Sequence, residues 1–182
     1  LRGKIKGLWI IATNPLVSFP NQNYLLDVLD RLDFLVVQDG YHPIPTSDIA
    51  DLVLPAAVWG EKEGTYTNSE RRVSKVNPAV PPPGEAKSDF EIFLMIAKEL
   101  GVYEQLFPNW TKPEDAFNEW KKVSSGRLCD YSAMTYELIE EYGGIQWPYH
   151  KNSNRAPHQN IPLYQDGIFQ TEDGRAKLWA VE

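Results

Sequence analysis

The sequence predicts an α/β fold: a parallel sheet layered between helices in three layers, followed by an irregular or β-hairpin C-terminal tail. Three observations carry this. Short, nearly continuous apolar runs recur at 7–13, 34–39 and 52–54, as strands buried on both faces require. A helical repeat of apolar residues separates the first two runs. From Ile145 onward the chain turns proline-rich, polar and aromatic, so the layered region ends before the chain does.

The first strand, Gly7-Leu8-Trp9-Ile10-Ile11-Ala12-Thr13, stops at Asn14-Pro15, where proline biases its predecessor away from helix. Tyr24, Leu25, Val28, Leu29 and Leu32 then fall at helical spacing over 23–32. Phe34-Leu35-Val36-Val37-Gln38-Asp39 is the second strand; a proline-bearing loop and a short helical turn near 47–50 lead to the third, Leu52-Val53-Leu54. Strand, helix, strand, loop, strand is the succession of a parallel sheet. Val73–Val76 reads as a short strand, and Val80-Pro81-Pro82-Pro83-Gly84 as a stiff connector. Ser88-Asp89-Phe90-Glu91 has the spacing of a capping box, and predicts a helix over 89–100 with Phe90, Phe93, Leu94, Ala97 and Leu100 on one face, stopped by Gly101. A second such pattern at Thr111 opens a helix to about 123 with Phe117 and Trp120 inward, and a third helix is expected over 131–142 before Gly143-Gly144. Asp166-Gly167 and Asp173-Gly174 are turn dipeptides that suggest a hairpin over 162–181. The expected division is an α/β ligand-binding region at 1–130 and a helix-and-hairpin junction at 131–182.

Composition excludes several classes. At 42% hydrophobic and 12% aromatic residues the chain is an ordinary globular one, not a disordered one. A net charge of −7 with no basic run argues against a nucleic-acid partner. No apolar run approaches the roughly 20 residues a membrane span needs, so no membrane association is expected. Cys129 is the single cysteine, and the histidines at 42, 150 and 158 lie far apart, so no metal ligands are expected in this chain. No secretory leader pattern opens the sequence, and it begins without methionine, which suggests a piece of a longer protein.

The stretch from Leu54 to Arg72 is unlike the rest. An apolar run turns abruptly into charged, hydroxyl and glycine positions, with Gly60 and Gly64 bracketing Glu61-Lys62-Glu63. It reads as a strand entering a polar loop, either a solvated connection or the border of a site. In open parallel sheets ligands sit at the carboxyl ends of the strands. Thr13-Asn14, Gln38-Asp39 and Glu61-Lys62 would all reach that edge. A carboxylate such as Asp39 can accept from ribose hydroxyls or from the adjacent N–H donors of guanine. Lys62 offers a point charge suited to phosphate. Asn14 and Gln38 each bring one acceptor and two donors. Each has a structural alternative: Asn14 as a turn former, Asp39 or Asp89 as a helix cap. Neither a Gly-x-Gly-x-x-Gly nor a Gly-x-x-x-x-Gly-Lys-Ser/Thr motif is present, nor any nucleophile elbow or triad. The residues alone describe a holder of a nucleotide-type cofactor, with no catalytic residue of its own.

Several segments in order then carry a family resemblance. They are Thr13-Asn14-Pro15, Phe34 to Asp39, Ala50-Asp51-Leu52-Val53-Leu54-Pro55-Ala56-Ala57, Glu61 to Arg72, and Pro83-Gly84-Glu85-Ala86-Lys87-Ser88-Asp89. Together they resemble the central part of a molybdopterin oxidoreductase of the dimethyl-sulfoxide-reductase family. The Glu-Lys-Glu-Gly-Thr-Tyr-Thr-Asn-x-Glu-Arg-Arg form is most similar to bacterial nitrate reductase catalytic subunits, and Gly144-Ile145-Gln146-Trp147-Pro148 also fits formate dehydrogenases. The resemblance implies a Rossmann-like fold and a molybdenum enzyme that reduces nitrate to nitrite. It also implies a bis(molybdopterin guanine dinucleotide) cofactor, with an iron–sulfur cluster in a missing upstream part. The cofactor-binding residues it implies are Asn14, Gln38, Asp39, Lys62 and Asp89. Asn14 and Lys62 would face phosphates, Gln38 and Asp39 ribose and guanine, and Asp89 guanine. The implied partners are the rest of a parent chain and an electron-donor protein or subunit, in the cytoplasm or alternatively the periplasm. The chain alone is expected to be inactive. A formate dehydrogenase fragment and a non-catalytic iron–sulfur subunit similar to that of respiratory complex I are the competing readings.

Overall fold

The computed structural model describes residues 3–180. Contacts divide the chain into two units, one of residues 1–66 and 75–120, the other of residues 67–74 and 121–182. The expected division at residue 130 was drawn at the start of the third expected helix, whereas this one follows contacts.

The first unit is built on three parallel strands in the order β1-β2-β3, namely Gly7–Ile11, Phe34–Asp39 and Leu52–Pro55. The apolar runs form these strands because β2 is central and covered: Leu35 and Val37 are buried. They join Ile10, Leu16 and Leu29 in one core, with Leu25, Leu32 and Ala50 packed against it. The helical repeat after β1 forms α2, Gln22–Leu29, started by the Asn21 side chain accepting from the Tyr24 N–H at 3.0 Å. Two short helices flank it in sequence, α1 at Pro15–Ser18 and α3 at Pro45–Asp48. Both have proline in the first turn, where its missing N–H costs nothing. The segment of α1 was expected to be loop, since four residues are too few to display a period.

The chain then forms a single 3-10 turn, Trp59–Glu61, and the strands β4 and β5, Gly64–Thr67 and Arg72–Val76. The polar stretch after β3 is therefore partly strand, not loop throughout. After the proline connector, Ala56 and Lys87 form a parallel bridge, with Ala57 N–H donating to Lys87 O at 2.8 Å and Lys87 N–H to Pro55 O at 3.1 Å. That bridge adds a short extended piece beside β3, so the helix that follows starts at the same carboxyl edge of the sheet.

That helix, α4 at Asp89–Glu99, has the expected capping box. Glu91 N–H donates to Ser88 Oγ at 3.3 Å, and Ser88 N–H donates to Glu91 Oε2 at 2.9 Å. The Ser88 hydroxyl and then its backbone N–H hold the Glu91 carboxyl below the ordinary glutamate range. Because the folded value is depressed, this contribution is complete above the unfolded value and disappears as pH falls through the folded one. Ser88→Ala is expected to cost about 1 kcal/mol in urea unfolding at pH 7. The difference from wild type should shrink as pH falls below the ordinary glutamate value of about 4.3 and level off only below the depressed folded one, where Glu91 is protonated in both states. The buried face of α4 is Ile92, Leu94 and Ala97, whereas Phe93 is more than a third exposed and Leu100 lies in solvent. The expected face was thus offset: Phe93 leans on Trp9 (ring centroids 5.3 Å apart), and Leu100 is already the C-cap. Two further helices follow, α5 at Tyr103–Leu106 and α6 at Pro113–Ser124. In α6 Phe117 is buried as expected, and Trp120 is not.

In the second unit, Val73, Met134, Ile139 and Ile145 are all but inaccessible and form its apolar centre. The helix α7 covers Tyr136–Glu141, shorter than expected, because Thr135 caps it by accepting from the Leu138 N–H at 3.2 Å. A two-residue strand β6, Ile145–Gln146, pairs antiparallel with β5 through Arg72↔Gln146 and Val73↔Ile145. Glu70-Arg71-Arg72 is an internal lock. Arg72 Nε donates to Glu70 Oε1 at 2.6 Å, Nη1 to Gly144 O at 2.9 Å and Nη2 to Asn160 Oδ1 at 2.6 Å. Arg71 donates to Trp147 O at 2.6 Å and to Ile161 O, and Arg155 to the carbonyls of Gln146, Pro148 and Gln159.

The hairpin expected over 162–181 is absent: the described residues of that range form turns and no strand, and residue 181 lies outside them. The glycine turns are present, with Gly167 at φ +73° and Gly174 at φ +69°. What fails is pairing: the N–H groups of Gly167, Thr171 and Gly174 bond back within their own turns, to the Tyr164, Phe169 and Thr171 carbonyls. The tail is the irregular alternative.

Candidate functional site

At the carboxyl ends of β1, β2 and β3 lies a cleft of about 460 Å³, lined by Asn14, Asp39, Lys62 and Asp89 together with residues 12–13, 40–41, 44 and 56–59. Its size falls within the roughly 300–1,000 Å³ typical of small-molecule sites. Four of the five residues expected from sequence line this cleft.

Each is held by a local device. Asn14 follows β1 and precedes Pro15, the first residue of α1, but its side chain makes no capping bond. Instead Asn14 Oδ1 accepts from the Thr46 hydroxyl at 2.6 Å, and Thr46 Oγ1 accepts from the Leu16 N–H at 3.2 Å. Thr46 is fully buried, so the Asn14 amide is oriented with its oxygen used and its NH2 left as donor. Thr46 was not singled out in the sequence; a threonine after Pro45 carries no recognisable pattern.

Asp39 ends β2, and its Oδ1 accepts from the Tyr41 N–H at 2.9 Å, a tight local turn. Its Oδ2 makes no hydrogen bond among the described residues. Gly40 is required here by space: a Cβ would stand 2.6 Å from Val58 Cγ1 and 3.3 Å from Ala56 O. The end of β2 therefore passes directly against the segment that carries the third wall.

Lys62 and Asp89 form an ion pair, with their side chains 29% and 31% exposed. Ser88 supplies the helix cap, so Asp89, first residue of α4, is freed from that role. Lys62 Nζ donates to Asp89 Oδ2, and Gln38 Nε2 donates to Asp89 Oδ1 at 2.7 Å. Gln38 is the exception among the five. It is wholly buried, does not line the cleft, and reaches it only through Asp89. Its Oε1 is buried without a partner, a cost the fold accepts to aim the amide at the carboxylate. Lys62 likewise spends its charge on Asp89.

Two carboxylates and one ammonium give the cleft a net negative wall. That acceptor-rich set suits a ligand presenting N–H and O–H donors, such as ribose hydroxyls and a guanine edge, more than one presenting bare phosphate. Beside it, on the other side of Trp59, Lys62 and Asp89, is an open apolar cleft of about 640 Å³, with Tyr66, Val76 and Phe90 in its walls. Among the described residues no group of three or more His, Cys, Asp or Glu side chains could hold a metal ion. No helix among them is long and apolar enough to cross a membrane.

Comparison with known proteins bears on this arrangement. A solved structure, the acetylene hydratase from Pelobacter acetylenicus, matches with a TM-score of 0.55 and 30% identity, over 62% of this chain and 15% of that one. Among curated relatives, a nitrate reductase from Synechocystis sp. is 42% identical over 94% of this chain, and the chain covers 24% of it. The F420-dependent formate dehydrogenase subunit alpha from Methanocaldococcus jannaschii is 41% identical over 98% of this chain and 25% of its own length. The assimilatory nitrate reductase catalytic subunit of Bacillus subtilis is 42% identical over 80% of this chain and 20% of its own length. The chain thus spans about a fifth to a quarter of the length of these three relatives. The family profile described as molybdopterin oxidoreductase matches residues 1–99, which contain Asn14, Gln38, Asp39, Lys62 and Asp89. On that match, over more than half its residues, the chain belongs to the molybdopterin oxidoreductase family.

Proposed function

We propose that this chain is the part of a molybdenum-dependent nitrate reductase that holds a guanine dinucleotide end of the molybdopterin cofactor. The observation that carries the reading is the convergence of Asn14, Asp39, Lys62 and Asp89 on one cleft at the strand ends. The residues fit the group. Two carboxylates, one of them bonding Tyr41 through a single oxygen, can accept from guanine N–H groups and ribose hydroxyls. Lys62 and Gln38 set the orientation of Asp89, and Thr46 sets that of Asn14, whose amide NH2 is available to a phosphate or carbonyl oxygen. When bound, the cofactor supplies two-electron chemistry at molybdenum; this chain contributes binding and orientation. The parent protein is proposed to carry an iron–sulfur cluster outside this chain and to draw electrons from a donor protein or subunit. Its proposed compartment is the cytoplasm, with the periplasm as the alternative.

Nitrate is favoured by the similarity to the Synechocystis and Bacillus subtilis enzymes. Formate oxidation is the second reading, because the Methanocaldococcus jannaschii relative matches nearly the whole chain at 41% identity. The test is turnover by the full-length, cofactor-loaded protein with a reduced dye and nitrate, against an oxidised dye and formate. Nitrite formation with no formate-dependent dye reduction is expected. The reverse pattern would replace nitrate with formate.

A further inference from the structure

Trp59 is the feature of this cleft that hydrogen bonding leaves unexplained. Its side chain is 78% exposed, the largest aromatic surface that either cleft presents. It lines both the polar cleft of about 460 Å³ and the apolar cleft of about 640 Å³. An exposed indole on a mobile loop would mean little, but this one stands on an anchored turn. Val58 N–H donates to Glu61 Oε2 at 2.9 Å, and Glu61 N–H donates to Val58 O at 2.9 Å. Gly60 O accepts from the N–H groups of Ala79 at 2.7 Å and Val80 at 3.2 Å. The turn is thus tied on both sides of the indole, which is presented outward at little further entropic cost.

We propose that Trp59 is the stacking platform for the purine base of the dinucleotide. The proposal rests on the dinucleotide reading above and adds to it the residue that takes the face of the base. Asp39 and Asp89 offer acceptors to the edge of a base, yet hydrogen bonds at an edge leave both π-faces in water. Lys62 and Asp89 line both clefts with Trp59, so the edge acceptors and the aromatic surface share one border. Stacking on an aromatic side chain is also the contact that tolerates the base's polar rim while covering its faces.

The test uses the full-length protein, purified with its cofactor, in wild-type form and as Trp59→Phe, Trp59→Leu and Trp59→Ala. GMP freed by acid treatment is measured per protein, at once and over a time course of incubation followed by gel filtration. Wild type should release GMP, Trp59→Phe should keep it nearly as long, and the Leu and Ala forms should lose it roughly tenfold faster. Urea midpoints close to wild type are expected throughout, since an exposed side chain contributes little to the fold. If wild type yields no GMP, the dinucleotide reading itself falls. If wild type yields GMP and Trp59→Leu retains it equally, or Trp59→Phe loses it as fast as Trp59→Ala, the dinucleotide reading stands and the stacking role is overturned.

Discussion

Replacing Lys62 with alanine is expected to lower retention of the dinucleotide cofactor by the full-length protein roughly tenfold or more, the scale of one charge-assisted hydrogen bond. The reason is indirect. Lys62 is already engaged with Asp89, and both side chains are about 30% exposed, so the pair is partly withdrawn from solvent. Without the ammonium, Asp89 keeps only the Gln38 amide and is free to swing toward water. Uncovering it should also cost the fold about 1–2 kcal/mol, less than for a fully buried pair. Lys62→Met, Asp89→Asn and the double change separate the two effects. The double variant should recover much of the stability, because no unpaired charge remains, yet still lose GMP after acid release. Full retention in Lys62→Ala, measured as molybdenum and GMP per protein, would refute a binding role for this pair.

Gly144→Ala is expected to destabilise the chain by about 3 kcal/mol or more, the scale of combined backbone strain and overpacking. Gly144 has φ +122°, and an added Cβ would stand 2.9 Å from Arg72 Cγ, 2.9 Å from Ser74 Oγ and 3.0 Å from Arg72 Cδ. Neither neighbour can yield freely. Ser74 lies within β5, and the Arg72 guanidinium is engaged by Glu70, Asn160 and the carbonyl of Gly144 itself. Gly143 is the control: its φ is +65°, with nothing within 4 Å of the same added atom. Gly143→Ala should therefore cost only the left-handed backbone penalty, about 1 kcal/mol. Equal urea midpoints for the two variants would show that Arg72 is not fixed as described.

The parallel sheet was legible because β2 is its central strand, with Leu35 and Val37 buried on one side and Gln38 on the other, which favours an apolar run ending abruptly at Gln38-Asp39. Helix α4 was legible because Ser88 and Glu91 state its start in four residues. Sequence could place Asn14, Asp39 and Lys62 at one edge, since strand ends of a parallel sheet must share it. Strand ends alone could not reveal that Asp89 belongs there as more than a cap; only the family resemblance named it. Its place there follows from the bridge between Ala56 and Lys87, a pairing with no periodicity to announce it. Nor could sequence show that Gln38 faces away from the cleft and acts through Asp89, because adjacent strand residues alternate sides and both are polar. The tail failed for a related reason. Asp-Gly dipeptides specify turns, but a strand needs a partner, and here the backbone N–H groups bond back within the turns.

Residues 67–74 belong with residues 121–182, although the sequence on both sides of them belongs to the first unit. No single cut in the chain can therefore release either unit whole. A protein shortened after Trp120 would keep Arg71 and Arg72 while discarding Gly144, Trp147, Asn160 and Ile161, the groups they bond. Anyone grafting the cleft onto another scaffold must carry this clasp along, or rebuild the short segment between Thr67 and Ser74 as a turn that can stand alone.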